Sequence, residues 1–192
     1  MKRLRGPDAP MRAWFAAQGW TAAPFQREVW KRYLAGESGL LQTPTGSGKT
    51  LAAIGGPLLE AVASAPRAEA PSKPRKRPVT RPPGSLKVLW ITPLRALAVD
   101  TTRALRAPIE ALGLDWVVAM RTGDASARDR RLARSGQADV LVTTPESLSL
   151  LQSYADMAPQ LSQLQCVVVD EWHELLGNKR GVLLQLALAR LR

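Results

Sequence analysis

Strands alternating with helices over the second half of the chain predict an α/β protein built on a doubly wound, mostly parallel sheet. Three stretches carry that reading. Residues 86–92, LKVLWIT, form a near-continuous apolar run of strand length, as a central strand covered on both faces requires. Residues 138–152, ADVLVTTPESLSLLQ, pass from an apolar run through Thr-Thr-Pro into helical spacing, and residues 165–192 repeat the plan with an acidic turn between strand and helix. With 192 residues, 45 % of them hydrophobic, the chain can bury one core of ordinary domain size. Right-handed crossovers bring the functional loops of such a sheet to the carboxyl ends of its strands.

The remaining elements follow in order. Residues 1–10 read as a flexible basic arm and 11–192 as one domain. Met11 to Gln18 suggests a short helix, and a second follows Pro24, with Phe25, Val29, Tyr33 and Leu34 at helical spacing and Gly36 as its stop. Trp14, Trp20 and Trp30 read as packing residues rather than stacking platforms. Residues 64–85 hold six prolines and six Lys/Arg against one acid, a composition that cannot pack, so this stretch is expected to be a disordered insertion. It carries five of the eleven excess positive charges, which weakens any step from net charge to a binding face; its own service as a phosphate-touching finger is the lesser reading. After residue 92 a helix is expected with Pro93 in its first turn and Leu94, Leu97, Ala98, Leu105 and Ile109 on one face. Residues 115–122 give a further strand and 127–133 a short charged helix. A single cysteine, Cys166, excludes an intramolecular disulfide and reads as a core residue of a reducing compartment. One histidine excludes a histidine metal cluster, and no apolar window is long enough to cross a membrane, so a soluble, cytoplasmic protein is expected.

Residues 39–55, GLLQTPTGSGKTLAAIG, hold the strongest chemistry. A strand at Leu40-Leu41 is expected to deliver a loop whose glycines Gly46 and Gly48 let successive N–H groups turn toward a phosphate. Thr45 and Ser47 complete the loop, and the helix starting near Lys49 adds its positive end. Lys49 would reach the β- and γ-phosphates and Thr50 would bind the Mg²⁺ that bridges them. Thr43 stands where the general P-loop pattern has its first glycine, while TGSGKT is intact. A flexible Gly/Ser linker would not be framed by Leu40-Leu41 and by Leu51, Ala52 and Ile54. Upstream, the Gln26 amide could pair with adenine at N7 and the exocyclic amine and so select ATP; otherwise it is a surface glutamine on a helix. At the far end, Asp170 and Glu171 close the apolar run Val167–Val169, where two buried charges are costly without a metal or substrate. That position is expected to oppose the P-loop, with Asp170 holding Mg²⁺ and Glu171 orienting and deprotonating the attacking water; solvated turn carboxylates are the plainer alternative. His173 follows at an interval suited to relaying nucleotide state.

Taken together, Gln26, TPTGSGKT (43–50), TPLRALA (92–98), TGD (122–124), TTPESL (143–148) and DEWH (170–173) resemble the ordered motifs of the first RecA-like domain of superfamily-two DNA/RNA helicases. VDEWHELLGNKRG is most similar to the large-helicase-related (Lhr) group, in particular its bacterial ligase-associated DExH-box members. The resemblance covers nearly all of the chain outside residues 1–10 and 64–85. It implies ATP and Mg²⁺ as cofactors, with Gln26 reading adenine, Lys49 and Thr50 on phosphate and metal, and Asp170, Glu171 and His173 forming the DExH site. It also implies that Thr92, Pro93, Arg95, Gly123, Thr144, Pro145 and Glu146 touch one strand of a single-stranded or tailed duplex nucleic acid, DNA before RNA. A part in DNA repair beside a ligase or nuclease is implied in the same way. No motif of a second RecA-like domain and no arginine-finger motif follows His173, so this chain alone is expected to bind ATP, barely hydrolyse it and unwind nothing. A nucleic-acid-binding module without turnover and an RNA-directed DExH protein are the alternatives.

Overall fold

The computed structural model describes residues 4–65 and 86–191, so nearly all of the insertion expected at 64–85 lies outside the described residues. The chain divides into two compact units, Met1–Thr80 with Leu105–Asp115, and Arg81–Ala104 with Trp116–Arg192.

In the first unit, α1 (Ala9–Ala17), α2 (Pro24–Leu34) and α3 (Lys49–Ser64) follow one another. Within the arm expected at residues 1–10, Asp8 pairs with Arg12 and Arg27 and holds the turn that enters α1 at Ala9. The buried positions of α2 are Gln26 and Trp30 rather than the predicted stripe through Phe25 and Val29, and Leu34 is exposed. The reason lies in α3. Gly55 and Gly56 present bare backbone there, and a Cβ on either would overlap the Trp30 indole or the Tyr33 ring. Trp30 fills that approach, fully buried, and its indole N–H donates to the Leu51 carbonyl at 3.1 Å. Phe15 meets it edge-on at 5.7 Å between ring centroids, so Trp30 is a packing residue. Trp20 remains half exposed at the rim of the same ring cluster.

The strand expected before the phosphate loop is absent: among the described residues nothing pairs with Leu40-Leu41, and Leu40 is 69 % exposed. Gly39 and Pro44 leave only a short run between them, too little for a ladder without a neighbour to fix it.

The second unit holds the sheet. Its strands are β1 (Val88–Ile91), β2 (Val118–Arg121), β3 (Val140–Thr143) and β4 (Cys166–Val169), all parallel, in the order β2-β3-β1-β4. Val88 lies opposite both Val140 and Cys166, so the carboxyl ends of β1, β3 and β4 come level at Ile91, Thr143 and Val169. The crossovers are α4 (Arg95–Ala111), whose residues from Leu105 belong to the first unit, α5 (Ala127–Ser135), and α6 (Pro145–Gln152) with the short α7 (Ala158–Leu161). A 3-10 turn, Trp172–Leu175, and α8 (Lys179–Ala189) follow β4.

Leu89, Ile91 and Leu141 on one sheet face pack with Leu148 and Leu151 of α6, Met157, and Leu184 and Ala187 of α8. Each large side chain contributes about 1.5–3 kcal/mol of apolar burial against the entropy of ordering it. At the opposite strand ends, buried Asp139 accepts from Lys87 Nζ and from the Val117 amide, both at 2.8 Å, which ties the entries of β1, β2 and β3.

Three readings need correction here. β4 is not a buried strand: it lies at the sheet edge, with Val167 39 % exposed and Cys166 half-buried rather than in the core, because β1 is its one partner among the described residues. Pro93 does not sit in the first turn of α4, which begins at Arg95. Leu94 therefore falls in the preceding turn, exposed, while Ala98, Leu105 and Ile109 are buried as their spacing predicts.

Candidate nucleotide and nucleic-acid sites

In the first unit the phosphate loop is shaped by two left-handed glycines, Gly46 at φ 79° and Gly48 at φ 90°. Gly48 is the N-cap of α3 and no side chain caps that end. The positive end of a helix that starts in this way favours an anion. Thr43 and Ser47 share a hydroxyl hydrogen bond of 2.7 Å across the loop, so the threonine in the first-glycine position serves as a brace. Lys49 Nζ donates to the Thr43 carbonyl at 3.4 Å, folded over the loop it would serve. Thr45 and Thr50 flank these contacts in sequence.

Gln26 is buried, 3 % exposed, and its amide is already engaged. Oε1 accepts from the Ala23 amide at 2.8 Å, half of a capping box, and Nε2 donates to the Gly48 carbonyl at 3.1 Å. A Cβ at Gly48 would lie 2.6 Å from that nitrogen. The glutamine thus fixes the loop's last glycine. One N–H and one lone pair remain for another partner.

In the second unit Asp170 ends β4, its amide bonded to the Ile91 carbonyl at 2.8 Å. Its carboxylate accepts from Trp90 Nε1 at 3.4 Å and from the Glu171 amide at 3.0 Å. Glu171 is the one non-glycine with positive φ among the described residues, at φ 45° and ψ 42°. That conformation costs of order 1–3 kcal/mol and is the kind of strain found at working sites. His173 reaches Glu171 at 3.5 Å and Glu174 at 3.6 Å, with its ring mostly in solvent. Among the described residues no three His, Cys, Asp or Glu side chains form a metal cage.

The same unit has an open hollow of about 910 Å³ at the strand ends. Pro93, Arg95, Gly123, Thr144 and Glu146, from three separate motifs, line it. Arg95 bridges to Asp124 at 3.1 Å, its guanidinium lying against Gly123, where a Cβ would come within 3.0 Å. Thr144 caps α6 by accepting from the Ser147 amide. Thr92 and Pro145 are buried instead, and Thr92 passes its amide to the Thr143 carbonyl. Three further arginines border the hollow: Arg121, Arg130 and Arg180. The first two were legible only as charges on a strand end and a polar helix. Arg180 donates to both carboxylate oxygens of Glu146 and to the Pro93 carbonyl. That hydrogen bond holds the Glu146 carboxyl below the usual carboxylate range and raises the Arg180 guanidinium correspondingly.

Residues 23–192 match the DEAD/DEAH box helicase family. The chain belongs to that family. Its likeness to the Lhr group is also borne out. It is 36 % identical over 194 residues to the "Lhr helicase/ probable uracil glycosylase" of Mycolicibacterium smegmatis, covering 96 % of this chain and 12 % of that protein. It is 33 % identical over 193 residues to the "ATP-dependent helicase Lhr-Core protein 2" of Thermococcus barophilus, covering 95 % and 21 %. A solved structure of the Mycobacterium smegmatis helicase Lhr bound to ssDNA and AMP-PNP superposes with a TM-score of 0.74 at 34 % identity, over 99 % of this chain and 23 % of that one. The chain therefore spans about an eighth to a quarter of the length of these relatives. The RecA-like sheet expected of this helicase family is the fold observed. Among the described residues no helix is long and apolar enough to cross a membrane.

Proposed function

We propose that this chain is the ATP-binding domain of an ATP-dependent DNA helicase or translocase, holding Mg-ATP at its phosphate loop and one nucleic-acid strand in the hollow at its strand ends. The observation that carries the reading is the convergence of Pro93, Arg95, Gly123, Thr144 and Glu146, distant in sequence, on one arginine-bordered hollow. Amides at a helix start, hydroxyls and guanidinium groups bind phosphates without reading bases, which is what a strand-tracking protein needs.

In this reading Thr45, Gly46, Ser47 and Gly48 offer the loop's N–H groups to the phosphates, and Lys49 neutralises the β- and γ-phosphates. Gln26 keeps Gly48 in place and spends its remaining hydrogen-bonding capacity on adenine. Thr50 in the first unit would bind Mg²⁺, whose chemistry is to neutralise charge on the phosphate oxygens, and Asp170 in the second unit is the carboxylate proposed for the same kind of ion. Glu171 orients the attacking water and accepts its proton, and His173, in reach of the Glu171 carboxylate, senses that change. The backbone strain at Glu171 supports a catalytic carboxylate over a solvated turn residue. The Mycobacterium smegmatis relative was solved with ssDNA, which favours DNA as the strand, and the part in DNA repair rests on the resemblance to the ligase-associated members.

Phosphate release measured with and without single-stranded DNA tests the reading, beside a Glu171→Gln control. Release that rises with the strand and falls in the control is expected of the protein that carries this domain. Strand binding with no hydrolysis under any condition would leave a binding module, and preference for an RNA strand of the same sequence would replace DNA by RNA.

A further inference from the structure

The stretch VDEWHELLGNKRG contains Arg180 without assigning it a role, yet this residue joins three parts of the second unit. Its Nη2 donates to the Pro93 carbonyl, in the loop between β1 and α4. Its Nε and Nη2 grip both oxygens of Glu146, in the first turn of α6. Those two partners belong to the two loops proposed to hold the strand.

The backbone of Arg180 is anchored to a third place. Its amide donates to Asn178 Oδ1 at 3.0 Å, and Asn178 Nδ2 donates to the Glu174 carbonyl at 2.9 Å. The Glu174 amide in turn donates to the Glu171 carbonyl at 3.0 Å. An unbroken hydrogen-bonded path therefore runs from Glu171 through Glu174 and Asn178 to Arg180, and from its guanidinium to both loops. Gly181 lets this arrangement close, since a Cβ there would overlap the Leu175 carbonyl of the same turn.

We infer that Arg180 is a positioning residue, a strut that sets the two strand-holding loops against each other and ties them to the Glu171 turn, so that strand occupancy and the setting of Glu171 are linked. This rests on the proposed strand site. The other role open to a guanidinium at this spot is direct phosphate contact, with Glu146 as an internal competitor. The two differ in sign. A strut needs the Glu146 carboxylate, so Glu146→Gln should weaken strand binding; a contact held back by Glu146 would be released by the same change and bind more tightly. Lysine cannot serve as the strut, since one ammonium does not reproduce the forked guanidinium geometry.

The experiment combines strand binding by fluorescence anisotropy, using a labelled single-stranded oligothymidylate, with hydrogen exchange of the full chain. In Arg180→Lys and Glu146→Gln, affinity should fall about three- to fivefold, the range of one partly exposed ion pair, and the double variant should be no weaker than either single one. Without any oligonucleotide, exchange at residues 94–98 and 146–149 should quicken in Arg180→Lys. Adding the oligonucleotide should slow exchange at 171–175 in the parent and not in the variant. Tighter binding by Glu146→Gln, or loops equally protected in parent and variant, overturns the strut. If the parent binds no strand while the loops still loosen in Arg180→Lys, the proposed strand site fails and the strut stands as a structural tie.

Discussion

At the level of single residues, Glu171 is the position where conformation and chemistry pull apart. An L-residue in the left-handed region is disfavoured by about 1–2 kcal/mol, a cost that fits the catalytic role proposed for the Glu171 carboxylate. Glu171→Gly should be more stable than Glu171→Ala by about 1 kcal/mol in thermal or denaturant unfolding, although both lose the carboxylate. Equal stabilities would mean that the turn relaxes to another conformation when the glutamate is removed. Lys49→Ala should abolish measurable nucleotide binding while leaving far-ultraviolet circular dichroism unchanged; retained affinity would remove the loop from the site. Gln26→Ala is expected to do more than blur the choice of ATP over GTP. Because its amide fixes Gly48, affinity for both nucleotides should drop together, which direct titration of each would reveal. The loop residues were legible because glycine spacing with an adjacent lysine encodes backbone shape locally. The engagement of Gln26 with Gly48 was not, because that contact depends on the way α2 meets α3.

Among the elements, α2 and α3 show how a sequence pattern can name a helix and miss its buried face. Apolar periodicity selected Phe25 and Val29, whereas the close approach is decided by Gly55 and Gly56 on the opposing helix, which admit Trp30 and Tyr33. Gly55→Ala should destabilise the protein by about 1–3 kcal/mol, the cost of overpacking a filled contact, despite the better helix propensity of alanine. A neutral or stabilising result in urea unfolding would show that α2 can move away freely. The four strands were legible within a few residues, since runs such as Val88–Ile91 are apolar throughout. The place of β4 at the edge was not, because strand order is a property of pairing and leaves no trace in a single run. The same limit explains why Leu40-Leu41 reads as a strand and has no ladder: apolar residues show what can pair, and a partner decides what does. The Glu146 and Arg180 tie between α6 and α8 has a definite pH signature. Glu146 titrates below the usual carboxylate range because Arg180 donates to its ionised form, so the tie is complete above that range and is lost as pH falls through the lowered value. Protection of the 146–149 amides relative to Arg180→Lys should therefore be constant across neutral pH and disappear only in acid.

For the whole molecule, the phosphate loop with Gln26 is built within the first unit and the arginine-bordered hollow within the second. Each site has its own internal support, hydroxyl and amide braces in one and the Arg180 tie in the other. Changes confined to one should then leave the intrinsic affinity of the other intact. Arg95→Ala removes a guanidinium from the hollow and should lower strand affinity in the absence of nucleotide. The slope of log affinity against log salt should shrink by about 0.7, the value for one phosphate contact with a single strand. Its affinity for ATP without a strand should match the parent. Lys49→Ala should show the converse, losing ATP and keeping nucleotide-free strand affinity and its salt slope. Where the two ligands do influence each other, the influence must be reciprocal: the factor by which a strand changes ATP affinity equals the factor by which ATP changes strand affinity. A four-way titration of parent and both variants, each ligand with and without the other, measures both factors. A Lys49→Ala protein that loses strand affinity even without nucleotide would show that the two sites share structural support, and the picture of two separately built sites would fail.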